Sequence, residues 1–214
     1  MGRVLDVGCA CGGLGAALGA KYKVARYTGI DINEQAIINA QIASDITIPH
    51  DFLCGDVVKE ISLVGKVFDT VFNLSCADWN ADFQGILAAT WRNVAPGGTL
   101  IISLRLSEFP GERSLDRSYQ FIHYGDAAAI PLDAERAAYV VLNVAEALDE
   151  LCRLKPTRVT GYGYWGHPSG TARTPFQRLL FSVFAIDRSV DGSAETPVVE
   201  LHFPHDIWRS RDAD

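Results

Sequence analysis

The chain has 214 residues, 48% of them hydrophobic, enough for one domain with a substantial core, and no run approaches the roughly 18 apolar residues that span a membrane. A net charge of −7 weighs against nucleic-acid binding, which relies on Lys and Arg to neutralise phosphates. Five cysteines, irregularly spaced and without a C-x-x-C pair, point to reduced thiols in a cytoplasmic protein rather than a disulfide framework or a zinc site. No signal-peptide pattern opens the chain.

Val4, Leu5 and Val7 suit a strand buried on both faces of a parallel sheet. Gly8, Gly12 and Gly13 follow as a tight turn that a ligand can approach closely. Leu14, Ala17 and Leu18 then recur at helical spacing, and a second apolar run closes on Asp31. Strand, glycine turn, helix, strand and acid form a βαβ unit suited to an adenosine-bearing cofactor, with the Asp31 carboxylate placed to accept ribose hydroxyls. Asn33 caps a second helix carrying Ala36, Ile37, Ala40 and Ala43, and a third strand lies near residues 51–54. Residues 57–64 read as a short or irregular helix, 67–74 as a strand, and 81–94 as a helix stopped by Pro96-Gly97-Gly98. The fifth strand spans 99–106. Residues 107–133 break the rhythm with prolines, glycines and aromatics, as functional segments do. A long helix is expected over 133–154, with Ala137, Val141, Val144, Leu148 and Leu151 on one face, followed by strands over 158–165 and 179–187. The domain is expected to fill 1–206, with 107–133 and 166–177 on the substrate side and 207–214 as a frayed tail. Alternating strands and helices indicate an α/β sheet with helices on both faces.

Gly8, Ala10 and Gly13 also give a degenerate G-x-A-x-x-G, which admits NAD(P) or FAD. Asp6 shifts the balance, because an acid beside the first glycine repels a pyrophosphate and attracts a cationic cofactor. Five segments carry a resemblance. Val4-Leu5-Asp6-Val7-Gly8-Cys9-Ala10-Cys11-Gly12 is similar to a D-x-G-x-G-x-G motif with Ala10 in place of the middle glycine. Gly29-Ile30-Asp31-Ile32, Cys54-Gly55-Asp56, Phe68 to Ser75 and Val94 to Ile102 follow in order. Over about residues 3–105 the chain resembles the class I S-adenosylmethionine (SAM)-dependent methyltransferases. The resemblance implies a Rossmann-like, doubly wound, seven-stranded sheet, mostly parallel, ending in an antiparallel hairpin. It also implies SAM as cofactor and S-adenosylhomocysteine (SAH) as product. The first strand begins almost at Met1, where many members of the family carry a further helix over the cofactor; either the chain is shortened at its start or that cover comes from elsewhere.

On that resemblance Asp6 and the turn Gly8, Cys9, Ala10 and Gly12 hold the methionine end. Asp31 and Ile32 face the ribose, Gly55, Asp56 and Val57 the adenine, and Asn73, Leu74 and Ser75 offer backbone carbonyls beside the reacting methyl. Asp56 also suits a helix cap. Candidate general bases are Asp78, His123 and His167, with Asp78 beside the methyl and His123 in the irregular segment. Trp79, Arg105, Tyr119, Tyr124, Tyr164 and Trp165 are candidate substrate contacts, suited to an anionic or sugar-like small molecule. No metal is expected, and His202-Phe203-Pro204-His205 lacks a third ligand. The expected activity is methylation of an oxygen, less readily a nitrogen, of a small molecule, with a homodimer allowed. An RNA or protein acceptor, a non-catalytic SAM-binding role and an NAD-dependent reductase remain alternatives.

Overall fold

A computed structural model describes residues 2–42, 45–122, 130–131, 133–192 and 196–208. In chain order the elements are β1 (Arg3–Val7), α1 (Gly13–Lys21), β2 (Arg26–Asp31), α2 (Glu34–Ile42), β3 (His50–Cys54), β4 (Phe68–Asn73), α3 (Phe83–Arg92) and β5 (Val94–Ser107). There follow β6 (Tyr119–Phe121), β7 (Arg136–Ala138), β8 (Leu142–Asn143), α4 (Val144–Arg153), β9 (Arg158–Gly166), β10 (Ala172–Arg173), β11 (Leu179–Asp187) and β12 (Val198–His202). Short 3-10 turns cover Ile61–Leu63, Ala77–Trp79 and His205–Trp208.

The main sheet runs β12-β9-β11-β5-β4-β1-β2-β3, with β8 added alongside β5. β1 pairs in parallel with both β2 and β4, so the chain winds outward in two directions from β1, and the strand ends open a crevice there. β11 runs antiparallel to both β5 and β9, forming the expected hairpin edge. Among the described residues the sheet is nine-stranded rather than seven-stranded, because β12 adds a parallel edge strand on β9 and β8 pairs with the end of β5.

Side-chain alternation explains the layering. Leu5, Val7 and Val71 face one apolar cluster with Ile86, Leu87 and Leu151, while Val4 and Phe72 face another with Leu18 and Tyr27. Both faces of β1 and β4 are therefore covered, as their continuous apolar runs require. No helix among the described residues is long and apolar enough to cross a membrane.

Two expectations are corrected. The helix expected over 133–154 begins only at Val144. The Asn143 side-chain oxygen accepts from the Ala145 amide at 2.9 Å and caps it there. Upstream, Tyr139-Val140-Val141 is aromatic and β-branched and runs extended, with Val140 N–H donating to the Asp78 carbonyl and Val141 exchanging bonds with Glu112. β7 joins β6 and β10 in a separate three-stranded antiparallel sheet. The tail is not frayed at its start: Ile207 is 2% exposed within the main core, and Trp208 stacks on Phe203. Residues 209–214 lie outside the described residues.

Candidate active site

The turn after β1 is folded against the end of β2. Gly8 and Cys9 N–H both donate to the Ile30 carbonyl, at 2.8 and 3.1 Å. Gly8 has φ +77°, and a Cβ there would sit 2.7 Å from Cys76 Cβ, so only glycine lets the turn lie this close to the loop after β4. Ala10 adopts φ 46°, the left-handed region that glycine fills in the similar motif. The Ala10 amide donates to Asp31 Oδ2 at 2.9 Å and the Asn33 amide to Oδ1 at 2.9 Å, which fixes the carboxylate's plane. Each oxygen keeps a lone pair for a further donor.

A cavity of about 560 Å³ opens at this point, within the roughly 300–1,000 Å³ usual for small-molecule sites. Gly8, Ala10, Asp31 and Ile32 line one side, and Gly55, Asp56, Val57 and Ser75 line another. Its described lining contains two carboxylates and no Lys or Arg. That donor set suits an uncharged ribose and adenine with a cationic tail, and would repel a pyrophosphate. The residues present therefore fit SAM. Asp56 lines the cavity, and its Oδ1 accepts from the Val58 amide at 2.9 Å in the turn that follows β3.

Other expected cofactor residues lie behind this wall. Asp6 does not line the cavity; it is buried and accepts a 2.6 Å bond from Tyr27 Oη. Burial pushes its carboxyl up to about 6, against the Tyr27 bond and with help from the Asp31 charge. Cys9 is buried against Gly29, Gly12 forms the left-handed entry to α1, and Leu74 packs with the apolar cluster around Tyr27. Asn73 is fully buried: its Oδ1 accepts from the Ala77 amide and its Nδ2 donates to Thr90, which shapes the loop over 74–79. Cys76, Asn80 and Ile86 line the cavity without having been singled out in the sequence. Cys76 is pushed up to about 12 by burial and the surrounding carboxylates, so it stays a thiol.

A second cavity of about 660 Å³ adjoins the first, and Ser75 and Trp79 line both. Ser75 is held at φ 50°, its amide donating to Ser103 Oγ at 2.7 Å. Register builds the floor of this second space. His202, Tyr162, Val183 and Ser103 are successive partners across β12, β9, β11 and β5, and Tyr164, Phe181 and Arg105 form the next row on the same face. At the Ser75 end lies an ion pair, with Arg105 Nε donating to Asp78 Oδ2 at 2.6 Å and Nη2 to the Asp78 carbonyl at 2.9 Å. Asp78 is 5% and Arg105 4% exposed. Burial pushes the Asp78 carboxyl above its ordinary range, with Arg105 pulling the other way. The guanidinium carbon sits 3.6 Å from the Tyr139 ring centre and 5.3 Å from that of Trp79.

Of the candidate bases, Asp78 and His167 line this second cavity; His123 lies outside the described residues. His167 Nδ1 donates to the Gln177 carbonyl at 3.0 Å, leaving Nε2 as the acceptor. Of the candidate substrate contacts, Trp79, Arg105 and Tyr164 line the cavity. Trp165 does not: its Nε1 donates to Asp206 and Arg178 stacks on its ring. Tyr119 sits beyond it, against Phe121 and Arg136, and Tyr124 lies outside the described residues. Tyr139, Gln120 and Ser169 complete the wall without having been singled out. The alternation of Ser103 and Arg105 on β5 was the available sign of a polar face; Tyr139 was hidden by the expected helix. Among the described residues no three His, Cys, Asp or Glu side chains gather as metal ligands.

Residues 5–102 match the family model described as a methyltransferase domain. The chain is 32% identical over 96 residues to a fatty-acid O-methyltransferase of Mycolicibacterium smegmatis, covering 45% of this chain and 34% of that protein. It is 23% identical over 210 residues to a trans-aconitate 2-methyltransferase of Paracidovorax citrulli, covering 89% and 78%. In fold it is similar to the N-terminal domain of EvdMO1 crystallised in the presence of SAH and D-fucose, with a TM-score of 0.62 at 15% identity over 87% of this chain and 76% of that one. The match to the first of these relatives spans about a third of its length.

Proposed function

We propose that this chain, whose residues 5–102 match a methyltransferase-domain model, is a SAM-dependent methyltransferase that transfers a methyl group to an oxygen atom of a small molecule. The observation that carries this reading is the meeting of two cavities at Ser75 and Trp79, one lined with carboxylates and with no Lys or Arg among its described lining residues, the other floored by aromatic side chains. When bound, SAM supplies a methyl group already activated by a sulfonium. The protein's task is alignment, dryness and a place for the acceptor's proton. Asp31, oriented by two backbone amides, is the acceptor for ribose hydroxyls, and Asp56 with Val57 borders the adenine side. Trp79 shields the junction from water, and Asp78 and His167 stand in the second cavity as proton acceptors.

Oxygen is favoured over nitrogen by the relatives' printed activities, one of them an O-methyltransferase. A macromolecular acceptor is disfavoured by the net charge of −7 where RNA is concerned. The five free thiols support a reducing, cytoplasmic setting.

Calorimetry tests the cofactor assignment directly. We expect SAH to bind with micromolar affinity and NADH to give no binding heat. Asp31→Ala is expected to weaken SAH binding at least a hundredfold while the protein stays folded by circular dichroism. Binding of NADH without SAH overturns the assignment.

A further inference from the structure

The second cavity is more specific than a generic acceptor site. Asp78 Oδ1 and Arg105 Nη1 are buried side-chain atoms with no hydrogen-bond partner among the described residues. Such orphans are rare, because each gives up its hydration for nothing. Here an acceptor and a donor belong to one ion-paired couple in the wall of one cavity. At the far side of the same cavity, Tyr162 stacks on His202 with ring centres 4.6 Å apart and 10° between planes, and Tyr164 on Phe181 at 6.0 Å and 27°. Tyr162 and Tyr164 nevertheless remain 54% and 67% exposed, so the stacked pairs present a broad aromatic face that no described residue covers.

Resting on the methyltransferase reading above, we propose that the methyl acceptor is a hydroxyl carried on a flat aromatic ring: the ring lies on the Tyr162 and Tyr164 platform, and the hydroxyl reaches the Asp78–Arg105 pair. A hydroxyl is both donor and acceptor, and so answers both orphans, donating to Asp78 Oδ1 and accepting from Arg105 Nη1. A carboxylate has no proton to give and would set its charge against that of Asp78. A saturated chain gains less from stacked rings than an aromatic face does. A sugar ring would set part of its hydroxyls against the Phe181 and Val183 side chains, which line the same space. Both orphan atoms are closed to solvent in the free protein, so engagement includes a side-chain rotation in the wall, an adjustment common on binding. In the transfer, the acceptor oxygen forms its bond to the methyl carbon with its own lone pair. The carbon–sulfur bond breaks with its electrons left on sulfur, and the hydroxyl proton passes to Asp78. Arg105 holds the oxygen in place while charge shifts on it.

The test uses the full chain and 2-naphthol as probe, with SAH affinity measured first. Absent SAH binding sinks the methyltransferase reading itself; the remaining arms are read only on SAH-loaded protein. We expect 2-naphthol to bind at least tenfold more tightly than 2-naphthoate, decanoate or methyl glucopyranoside, and to be methylated when SAM replaces SAH. Tyr164→Ala, at an exposed position that folding tolerates, is expected to weaken 2-naphthol about tenfold with SAH affinity unchanged. Asp78→Asn is expected to retain 2-naphthol binding and to lose at least a hundredfold in transfer. Should Asp78→Asn not fold, the ligand panel on the native chain decides. Tighter binding of the naphthoate, the fatty acid or the glycoside overturns the proposal, as does unchanged 2-naphthol affinity in Tyr164→Ala.

Discussion

Asp6 is buried behind the cofactor turn and takes no part in the described cavity lining. Its acidity signals the cofactor turn, yet the carboxyl faces Tyr27 inside the protein, where it stiffens the strand end from which the turn springs. Its proton affinity leaves a trace in stability. Burial raises the folded carboxyl from 3.8 to about 6, so the folded state holds the proton more tightly than the unfolded one. The stability this contributes is fully present below about pH 4 and is lost as pH climbs through about 6. Asp6→Asn removes the titration. Relative to the native chain, the variant is expected to gain on the order of 3 kcal/mol between pH 4 and 7, measured by urea unfolding across that range. A difference that does not change with pH would show that Asp6 keeps an ordinary carboxyl. The Asn73 side chain likewise works inside the protein, tying the loop over 74–79 to Thr90 and Ala77.

At the scale of elements, β1 to β5 were legible because each is a continuous apolar run closed by an acid, an amide or a glycine turn, a pattern set by local chemistry. α4 was misjudged for a physical reason. Ala137, Val141, Val144, Leu148 and Leu151 keep a helical period straight through a segment that is extended as far as Asn143, so periodicity alone could not find the boundary. The discriminating features were the β-branched Val140-Val141 pair and the Asn143 cap, both weaker signals than a period of 3.6. Asn143 also ties α4 to its surroundings, its Nδ2 donating to the carbonyls of Glu108 and Phe109. Asn143→Ala is expected to cost about 1–2 kcal/mol, read from chemical denaturation with SAH affinity as control. A loss below about 0.3 kcal/mol would mean that the cap does not set the helix start.

On the scale of the whole molecule, the sequence carries the sheet's winding and the cofactor crevice but not the second cavity. That space depends on long-range register: β12 beside β9, β11 between β9 and β5, and the small sheet of β10, β6 and β7 at its border. Strands of two or three residues, such as β8 and β10, leave no periodic trace, and pairings across 50 residues or more have no local signature. The same long-range logic governs the end of the chain. Ile207 sits in the main core, and Asp206 accepts from Trp165 and Arg178, so the last described turn closes the β9 and β11 edge. Ile207→Ala is expected to cost about 2–4 kcal/mol, measured by thermal or urea unfolding; a change under about 0.5 kcal/mol would return the segment to the status of a loose end.

Ser75 and Trp79 stand as a party wall between two rooms. Whatever leans on such a wall from one side alters the room on the other, and thermodynamic linkage makes the influence mutual: the factor by which a nucleoside guest changes the welcome given to an acceptor equals the factor by which the acceptor changes that given to the nucleoside. Two guests that share two side chains cannot be strangers to each other.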